Sequence, residues 1–224
     1  MVLLATLRLK KVIFSAIISS LLVAPFTALY AGSSHISRQW NGVIIQSTHH
    51  KFTRTSSGVP VSNCHVLSNE HVVRDTKQAI VFIAGRKYSN STVVATDHAN
   101  DLSLIFLPDC PIRKFASLSN VEPHKGDKLV SVYQERGFIT GSRITQSTGL
   151  FEGYKNIITE EDRHMLSMVI DDKEPRKGAS GGGVISEHGL VSVIFGVVNN
   201  RSQSRTFAVN YDALKRFLTV NHIQ

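Results

Sequence analysis

The stretch Lys177-Gly178-Ala179-Ser180-Gly181-Gly182-Gly183-Val184-Ile185 places one serine among glycines, directly ahead of an apolar run. A serine hydroxyl attacks an acyl carbon well only with a base beside it, and the resulting oxyanion needs N–H donors already aimed at it. Gly178 can turn its N–H into such a site, Ser180 can supply a second N–H, and Gly181 adds no side chain. Ser180 is therefore a candidate nucleophile, and a glycine-rich hairpin with an incidental serine is the alternative.

A candidate base and a candidate carboxylate precede this serine in the chain. His71 lies in Val66-Leu67-Ser68-Asn69-Glu70-His71-Val72-Val73, where a predicted strand runs into a short turn. Asp101 stands at the start of Leu102-Ser103-Leu104-Ile105-Phe106-Leu107, a run with strong β propensity. The order His, Asp, Ser is one of the chain orders in which a catalytic triad occurs.

The three segments resemble the signature regions of trypsin-like (chymotrypsin-fold) serine proteases, and most closely those of the bacterial HtrA branch. There the histidine region commonly reads Thr-Asn-x-His-Val and the aspartate region Asp-Leu-Ala-Leu. The similarity runs from about Trp40 to about Leu218. It implies an all-β fold of two antiparallel six-stranded β-barrels with a short C-terminal helix. The chain ends soon after the predicted helix, so we expect an enzyme without the PDZ domains of typical HtrA proteins.

The resemblance assigns roles to the three residues. It implies a serine endopeptidase in which His71 accepts the proton of Ser180, Asp101 orients His71, and an acyl-enzyme forms and is hydrolysed. The N–H groups of Gly178 and Ser180 would form the oxyanion hole. Proteins or peptides would be the substrates, and neither a metal nor an organic cofactor is needed.

Substrate contacts are implied by the same resemblance. Phe195, Gly196 and Val197 would align the substrate as an added strand. Glu174, six residues before the serine, corresponds to the base of the primary specificity pocket, where an acid favours a basic substrate side chain. Arg176 and Lys177 are close enough in sequence to neutralise it.

Two residues depart from the family pattern. Ala179 stands where Asp or Asn is usual, and Gly183 stands where Pro is usual. Without a carboxylate at Ala179, activation by pairing with a newly cut amino terminus should not operate. These departures leave an alternative, a catalytically weak or inactive protease-fold protein that serves as a binding or envelope scaffold. An α/β-hydrolase esterase fits poorly, because its triad order differs and strands here do not alternate with helices.

Other residues compete for the roles of base and carboxylate. His65 lies six residues before His71, but within a predicted strand. Asp97 flanks the same predicted strand as Asp101 and is the next choice if Asp101 is only a solvated turn residue. The remaining histidines show no spacing typical of a metal site, so we expect no bound metal ion.

Short apolar or alternating runs separated by turns predict a mostly β chain. The predicted strands are 42–46, 58–67, 78–83, 91–96, 102–107, 128–133, 137–145, 165–170, 183–185, 190–198 and 205–209. Only the end has helical periodicity, with Tyr211, Leu214, Phe217 and Leu218 on one face and Asn210 as a possible cap.

The first 31 residues are typical of a signal peptide. Basic residues at Arg8, Lys10 and Lys11 precede an apolar segment from Val12 to Val23, and small residues follow. Cleavage would leave residues 32–224 as one protease domain with a barrel boundary near 112–127, lowering the formal net charge from +8 to +5. We expect an exported protein, periplasmic or secreted, without a stable membrane span after cleavage; an uncleaved anchor is the alternative.

The two cysteines, Cys64 and Cys110, both belong to the mature part of an exported chain, where disulfides persist. In the fold that the resemblance implies, their strands lie in the same barrel, so a bridge is expected; two separate buried thiols are the alternative. No basic helix, zinc-ligand spacing or aromatic-interleaved basic strand suggests nucleic-acid binding. The sequence leaves the oligomeric state open.

Overall fold

The computed structural model describes residues 43–49, 52–137, 141–159, 161–172, 174–175, 177–199 and 204–223. The predicted signal peptide, residues 1–31, lies outside the described residues. Within them, no helix is long and apolar enough to span a membrane.

Six antiparallel strands form the first barrel. They are β1 (Val43–His49), β2 (Phe52–Pro60), β3 (His65–Ser68), β4 (Gln78–Ile83), β5 (Arg86–Asp97) and β6 (Leu102–Phe106). Their order is β1-β2-β3-β6-β5-β4, and pairing of β1 with β4 closes the barrel. A four-residue helix, α1 (Glu70–Val73), follows β3.

Six further antiparallel strands form the second barrel. They are β7 (Lys128–Gly137), β8 (Gly141–Ile158), β9 (His164–Asp171), β10 (Gly183–Ser186), β11 (Gly189–Asn199) and β12 (Ser204–Val209). Their order is β10-β11-β12-β9-β8-β7, and pairing of β10 with β7 closes the barrel. The predicted fold of two six-stranded barrels is confirmed.

Alternation along the strands fills three apolar clusters, because successive side chains point to opposite faces. One cluster fills the first barrel and includes Val43, Ile45 and Val81. Another fills the second barrel and includes Met168 and Ile194. The third joins buried apolar side chains of both barrels, so an apolar interface connects them.

The chain ends in the predicted helix, α2 (Tyr211–Val220). The Asn210 side chain caps it by accepting a hydrogen bond from the N–H of Ala213 at 3.1 Å. Leu214 and Leu218 are buried in the cluster between the barrels. The helix therefore fastens the end of the chain to that interface.

Three predicted elements differ from the structure. The run 58–67 is not one strand, because the Ser62 hydroxyl accepts hydrogen bonds from the N–H groups of Cys64 and His65 and makes a turn between β2 and β3. The turn expected at His71 is the helix α1. The predicted strand 137–145 is not one strand: Gly137 ends β7, and residues 141–145 begin β8, which continues to Ile158.

The predicted disulfide joins Cys64 and Cys110, which are separated by 46 positions. Cys64 lies in the turn before β3 rather than within a strand, and Cys110 follows β6. Because β3 and β6 are paired along their length, the two cysteines meet at the same end of this pair. The bridge thus closes a loop that contains both His71 and Asp101.

Candidate active site

His71 and Asp101 form a direct pair at the edge of the first barrel. The His71 Nδ1 atom lies 2.6 Å from Asp101 Oδ2, and the backbone N–H of His71 donates to Oδ1 at 2.9 Å. The carboxylate is 1% exposed, whereas the His71 side chain is 28% exposed. A buried carboxylate with two donors from one histidine fixes the orientation of that imidazole.

The backbone around Asp101 has an unusual conformation that places the carboxylate beneath α1. Asp101 has a φ of 54°, in the left-handed region that aspartate tolerates better than most residues. Its carbonyl oxygen accepts a hydrogen bond from Asn69 Nδ2 at 2.9 Å. The Ser103 hydroxyl donates to the Asn69 carbonyl oxygen at 2.8 Å. Asn69 therefore ties the start of α1 to the turn that carries Asp101.

Ser180 lies in the turn before β10, between the two barrels. The Ser57 N–H donates to the Ser180 carbonyl oxygen at 2.8 Å. The Ser180 hydroxyl is 3.4 Å from the carbonyl oxygen of Phe195, on β11. The next residue, Gly181, has a φ of 85°, and a Cβ atom there would collide with Ser57 O and Ser68 Oγ. Only glycine lets this turn approach the first barrel so closely.

The hydroxyl of Ser57 connects Gly178 to both barrels. Ser57 Oγ donates to the Gly178 carbonyl oxygen at 2.6 Å and accepts from the Gln134 N–H at 2.7 Å. Gly178 has a φ of 102°, and a Cβ atom would lie 2.8 Å from Gln134 Oε1. The glycine signal was visible in the sequence, whereas no sequence signal pointed to Ser57.

The two departures from the family pattern have structural counterparts. Ala179 is fully buried in the apolar cluster of the second barrel, where a carboxylate would have to give up its hydration. Gly183 starts β10 and pairs with Val193 on β11 and Val132 on β7. Apolar packing at Ala179 and strand pairing at Gly183 hold the two ends of the Ser180 turn.

A cleft of about 810 Å³ opens beside His71. Phe195, Gly196 and Val197 line it; their contact with a substrate stays a prediction. The remaining wall residues come from both barrels: Arg54, Arg74, Asp101, Ile157, Ile158, Thr159, Glu161, Arg163, Val198 and Phe207. The cleft is therefore walled by apolar side chains of the second barrel and by charged groups of both.

An ion-pair chain borders this cleft. Arg74, directly after α1, contacts Glu70 at 2.7 Å and Glu161 of the β8–β9 turn at 2.6 Å. Hydrogen bonding to Arg74 lowers the pKa of Glu161. Burial opposes ionisation of Glu70, yet hydrogen bonds and charge from Arg74 bring its pKa below the usual value. The two carboxylates in turn raise the pKa of Arg74, so this inter-barrel chain remains charged at neutral pH.

The competing residues are engaged elsewhere. His65 Nδ1 is 2.8 Å from Ser62 Oγ, and its ring lies against Phe106 with centroids 5.5 Å apart. Burial lowers the pKa of His65. Asp97 accepts hydrogen bonds from the Asn100 side chain and N–H at 2.7 and 3.1 Å and so closes the turn before Asp101.

Glu174 is exposed, and its N–H donates to Asp172 Oδ1 at 3.1 Å. Glu174 is not among the residues that line the described cleft. Its role at the base of a specificity pocket stays a prediction. Among the described residues, no group of three or more His, Cys, Asp or Glu side chains could hold a metal ion.

Comparison with known proteins places the chain in a family. A family model described as the trypsin-like peptidase domain matches residues 55–193. A search of curated proteins finds no match.

Solved structures share this fold at low sequence identity. The active form of the Rv3671c protease from M. tuberculosis superposes with a TM-score of 0.71 at 18% identity, covering 84% of this chain and 82% of that one. The serine endoprotease from Yersinia pestis gives a TM-score of 0.62 at 21% identity, covering 85% of this chain and 66% of that one. Because the family model spans more than half of the sequence, the chain belongs to the trypsin-like peptidase family.

Proposed function

We propose that this chain is an exported serine endopeptidase whose catalytic residues are Ser180, His71 and Asp101. The observation that carries the proposal is the buried Asp101 carboxylate, 2.6 Å from His71 Nδ1, at the edge of an open cleft. A histidine oriented in this way can accept a proton at Nε2 and return it later.

In the proposed reaction, His71 Nε2 takes the proton of the Ser180 hydroxyl as the serine oxygen attacks the peptide carbonyl carbon. The tetrahedral intermediate collapses to an acyl-enzyme when His71 gives that proton to the leaving amine. Water then attacks the ester with His71 again as the base. Asp101 stays ionised, holds the Nδ1–H tautomer and stabilises the imidazolium.

The oxyanion would be held by the N–H groups of Gly178 and Ser180. In support, neither N–H donates to an acceptor among the described residues. The hydrogen bond from Ser57 to the Gly178 carbonyl oxygen fixes the peptide that links these two donors. One such donor contributes about 3 kcal/mol to transition-state stabilisation in known oxyanion holes.

We propose that the cleft binds an extended substrate with an apolar side chain. Ile157, Ile158 and Val198 border it, and Ile158 is 63% exposed. Burying a branched aliphatic side chain against such a surface contributes about 1.5–3 kcal/mol. Backbone groups of β11 from Phe195 to Val197 would pair with the substrate as an added strand.

Export is proposed from the N-terminal pattern of residues 1–31. A disulfide in the catalytic barrel fits an oxidising compartment, the periplasm or the extracellular medium. Fractionation of cells that express the full chain, with N-terminal sequencing of the product, tests this part.

The enzymatic part is tested with an unfolded protein substrate such as reduced casein. We expect internal cleavage by the wild-type protein and none by Ser180→Ala or His71→Ala at equal folded concentration, measured by circular dichroism. Equal cleavage by wild type and both variants would trace the activity to a contaminant and contradict the assignment.

A further inference from the structure

We propose that Arg163 is a positioning residue of the catalytic pair: a cation of the second barrel that contacts the Asp101 carboxylate and sets the pH at which His71 becomes an effective base. This inference rests on the proposed function. It deepens that function by assigning electrostatic control of the first barrel's His–Asp pair to the described residues of the β8–β9 turn, Thr159 and 161–163.

Arg163 reaches across the barrel interface. Its Nη1 atom lies 3.6 Å from Asp101 Oδ1 and donates to the His98 carbonyl oxygen at 2.8 Å. The Arg163 side chain is 13% exposed and the Asp101 side chain 1% exposed, so water screens their interaction weakly. Asp101 Oδ1 thus faces the His71 N–H and a guanidinium, while Oδ2 faces the imidazole.

The turn is built to present this arginine. The Thr159 N–H donates to the Arg163 carbonyl oxygen at 2.9 Å, and Thr159 Oγ1 accepts from the Arg163 N–H at 3.2 Å. Thr159, Glu161 and Arg163 all line the cleft beside His71. The segment that holds the cation is therefore also a wall of the substrate cleft.

Other charged groups face the same region. Glu161 Oε2 lies 3.3 Å from Arg163 Nη2, and its other carboxylate oxygen contacts Arg74. The charge of His71 also acts on Glu161. On the first barrel, Glu70 pairs with Arg74 and lies 3.3 Å from His98 Nδ1. Arg163 is the cation of this set in contact with Asp101, and Glu161 is an anion coupled to His71.

The two charges have opposite effects on the imidazole. A guanidinium beside Asp101 offsets part of the carboxylate's attraction for a protonated His71. Glu161 attracts a protonated His71, so its effect on the imidazole is opposite to that of Arg163. Removing either charge must therefore move the acid limb of the rate profile, and the two shifts must have opposite signs.

The test uses Arg163→Gln, Arg163→Lys and Glu161→Gln, with Lys215→Gln as a matched control that removes an exposed charge on α2. The acid limb of kcat/KM is measured from pH 4.5 to 8. We expect Arg163→Gln to move it upward, because the guanidinium no longer offsets the attraction of Asp101 for a protonated His71. We expect Glu161→Gln to move it downward and Arg163→Lys and Lys215→Gln to stay near wild type.

A second readout does not depend on turnover. In a Ser180→Ala background, the His71 ring signals are titrated by NMR in the same variants, and the same opposite displacements are expected. If the wild type proves inactive, the proposed function fails while this titration still tests the inference. If Arg163→Gln does not fold, the rate profiles and titrations of Arg163→Lys and Glu161→Gln decide whether the inference stands.

An unchanged limb in folded Arg163→Gln, or shifts of the same sign in Arg163→Gln and Glu161→Gln, would overturn the role of Arg163. With Arg163→Gln unfolded, a Glu161→Gln limb equal to wild type, or an Arg163→Lys limb displaced upward from wild type, would overturn it equally. A loss of kcat/KM with no change of the limb would leave Arg163 a structural bridge between the barrels.

Discussion

The hydroxyl of Ser57 donates a 2.6 Å hydrogen bond to the carbonyl oxygen of Gly178, across 121 positions of sequence. Ser57 belongs to β2 of the first barrel, and Gly178 precedes the candidate nucleophile in the second. The same hydroxyl accepts the Gln134 N–H. One buried side chain thus connects the two barrels at the proposed oxyanion hole.

Replacing Ser57 by alanine should impair this connection. Ser57→Ala leaves the Gln134 N–H and the Gly178 carbonyl oxygen without their partner, which costs about 1–3 kcal/mol of stability. Because Gly178 is then less firmly held, kcat should fall more than KM changes. Ser186→Ala, which removes a hydroxyl from the β10–β11 turn, is the control. Steady-state kinetics in which kcat of Ser57→Ala equals that of the control would contradict this role.

The charge and tautomer of the His–Asp pair are tested by Asp101→Asn. An amide at this position can present the wrong hydrogen-bond partner to His71 Nδ1, and the rate should fall by about four orders of magnitude with the fold intact. Asp97→Asn is the matched control, because Asp97 bonds Asn100 instead. Kinetics with a short chromogenic ester compare the two. A loss below tenfold in Asp101→Asn would remove Asp101 from the triad.

The sequence predicts those site residues whose role is visible in the residues next to them in the chain. Ser180 and Gly178 are recognisable because the glycine positions around them reflect local backbone demands, and His71 and Asp101 stand in short motifs. Ser57 and Arg163 could not be found, because their contacts join segments that are distant in sequence and neither residue type marks a site. The run 58–67 was misread as one strand because the turn at Ser62 depends on a side-chain hydrogen bond that apolar alternation does not reveal.

The disulfide should stabilise the catalytic barrel. A bridge over 46 positions gives about 4 kcal/mol in the chain-entropy model, which is an upper value because residual structure in the unfolded chain reduces it. Reduction, or the double variant Cys64→Ser with Cys110→Ser, should lower Tm by several degrees and reduce activity, since the loop contains His71 and Asp101. Calorimetry with and without reductant measures this. Equal Tm values would show that the bridge adds no stability.

Acid should weaken the ion-pair chain between the barrels. Arg74 lowers the pKa of Glu161 below 4.5 in the folded state, so this pair stabilises the fold above that pH and its contribution is lost as the pH falls. In urea unfolding from pH 6 to 3, wild type should lose stability more steeply below pH 4.5 than Arg74→Gln. Arg216→Gln, an exposed arginine on α2, should follow wild type. Parallel curves for wild type and Arg74→Gln would contradict this coupling.

The most direct test of the central claim is covalent labelling with a fluorophosphonate, which reacts with an activated serine. We expect stoichiometric labelling of the wild-type protein, located on Ser180 by peptide mass spectrometry, with none in Ser180→Ala and a strongly reduced rate in His71→Ala. Because the reagent needs no peptide substrate, the result does not depend on specificity. No labelling of folded wild-type protein, or equal labelling of wild type and Ser180→Ala, would contradict the assignment of Ser180 as the nucleophile.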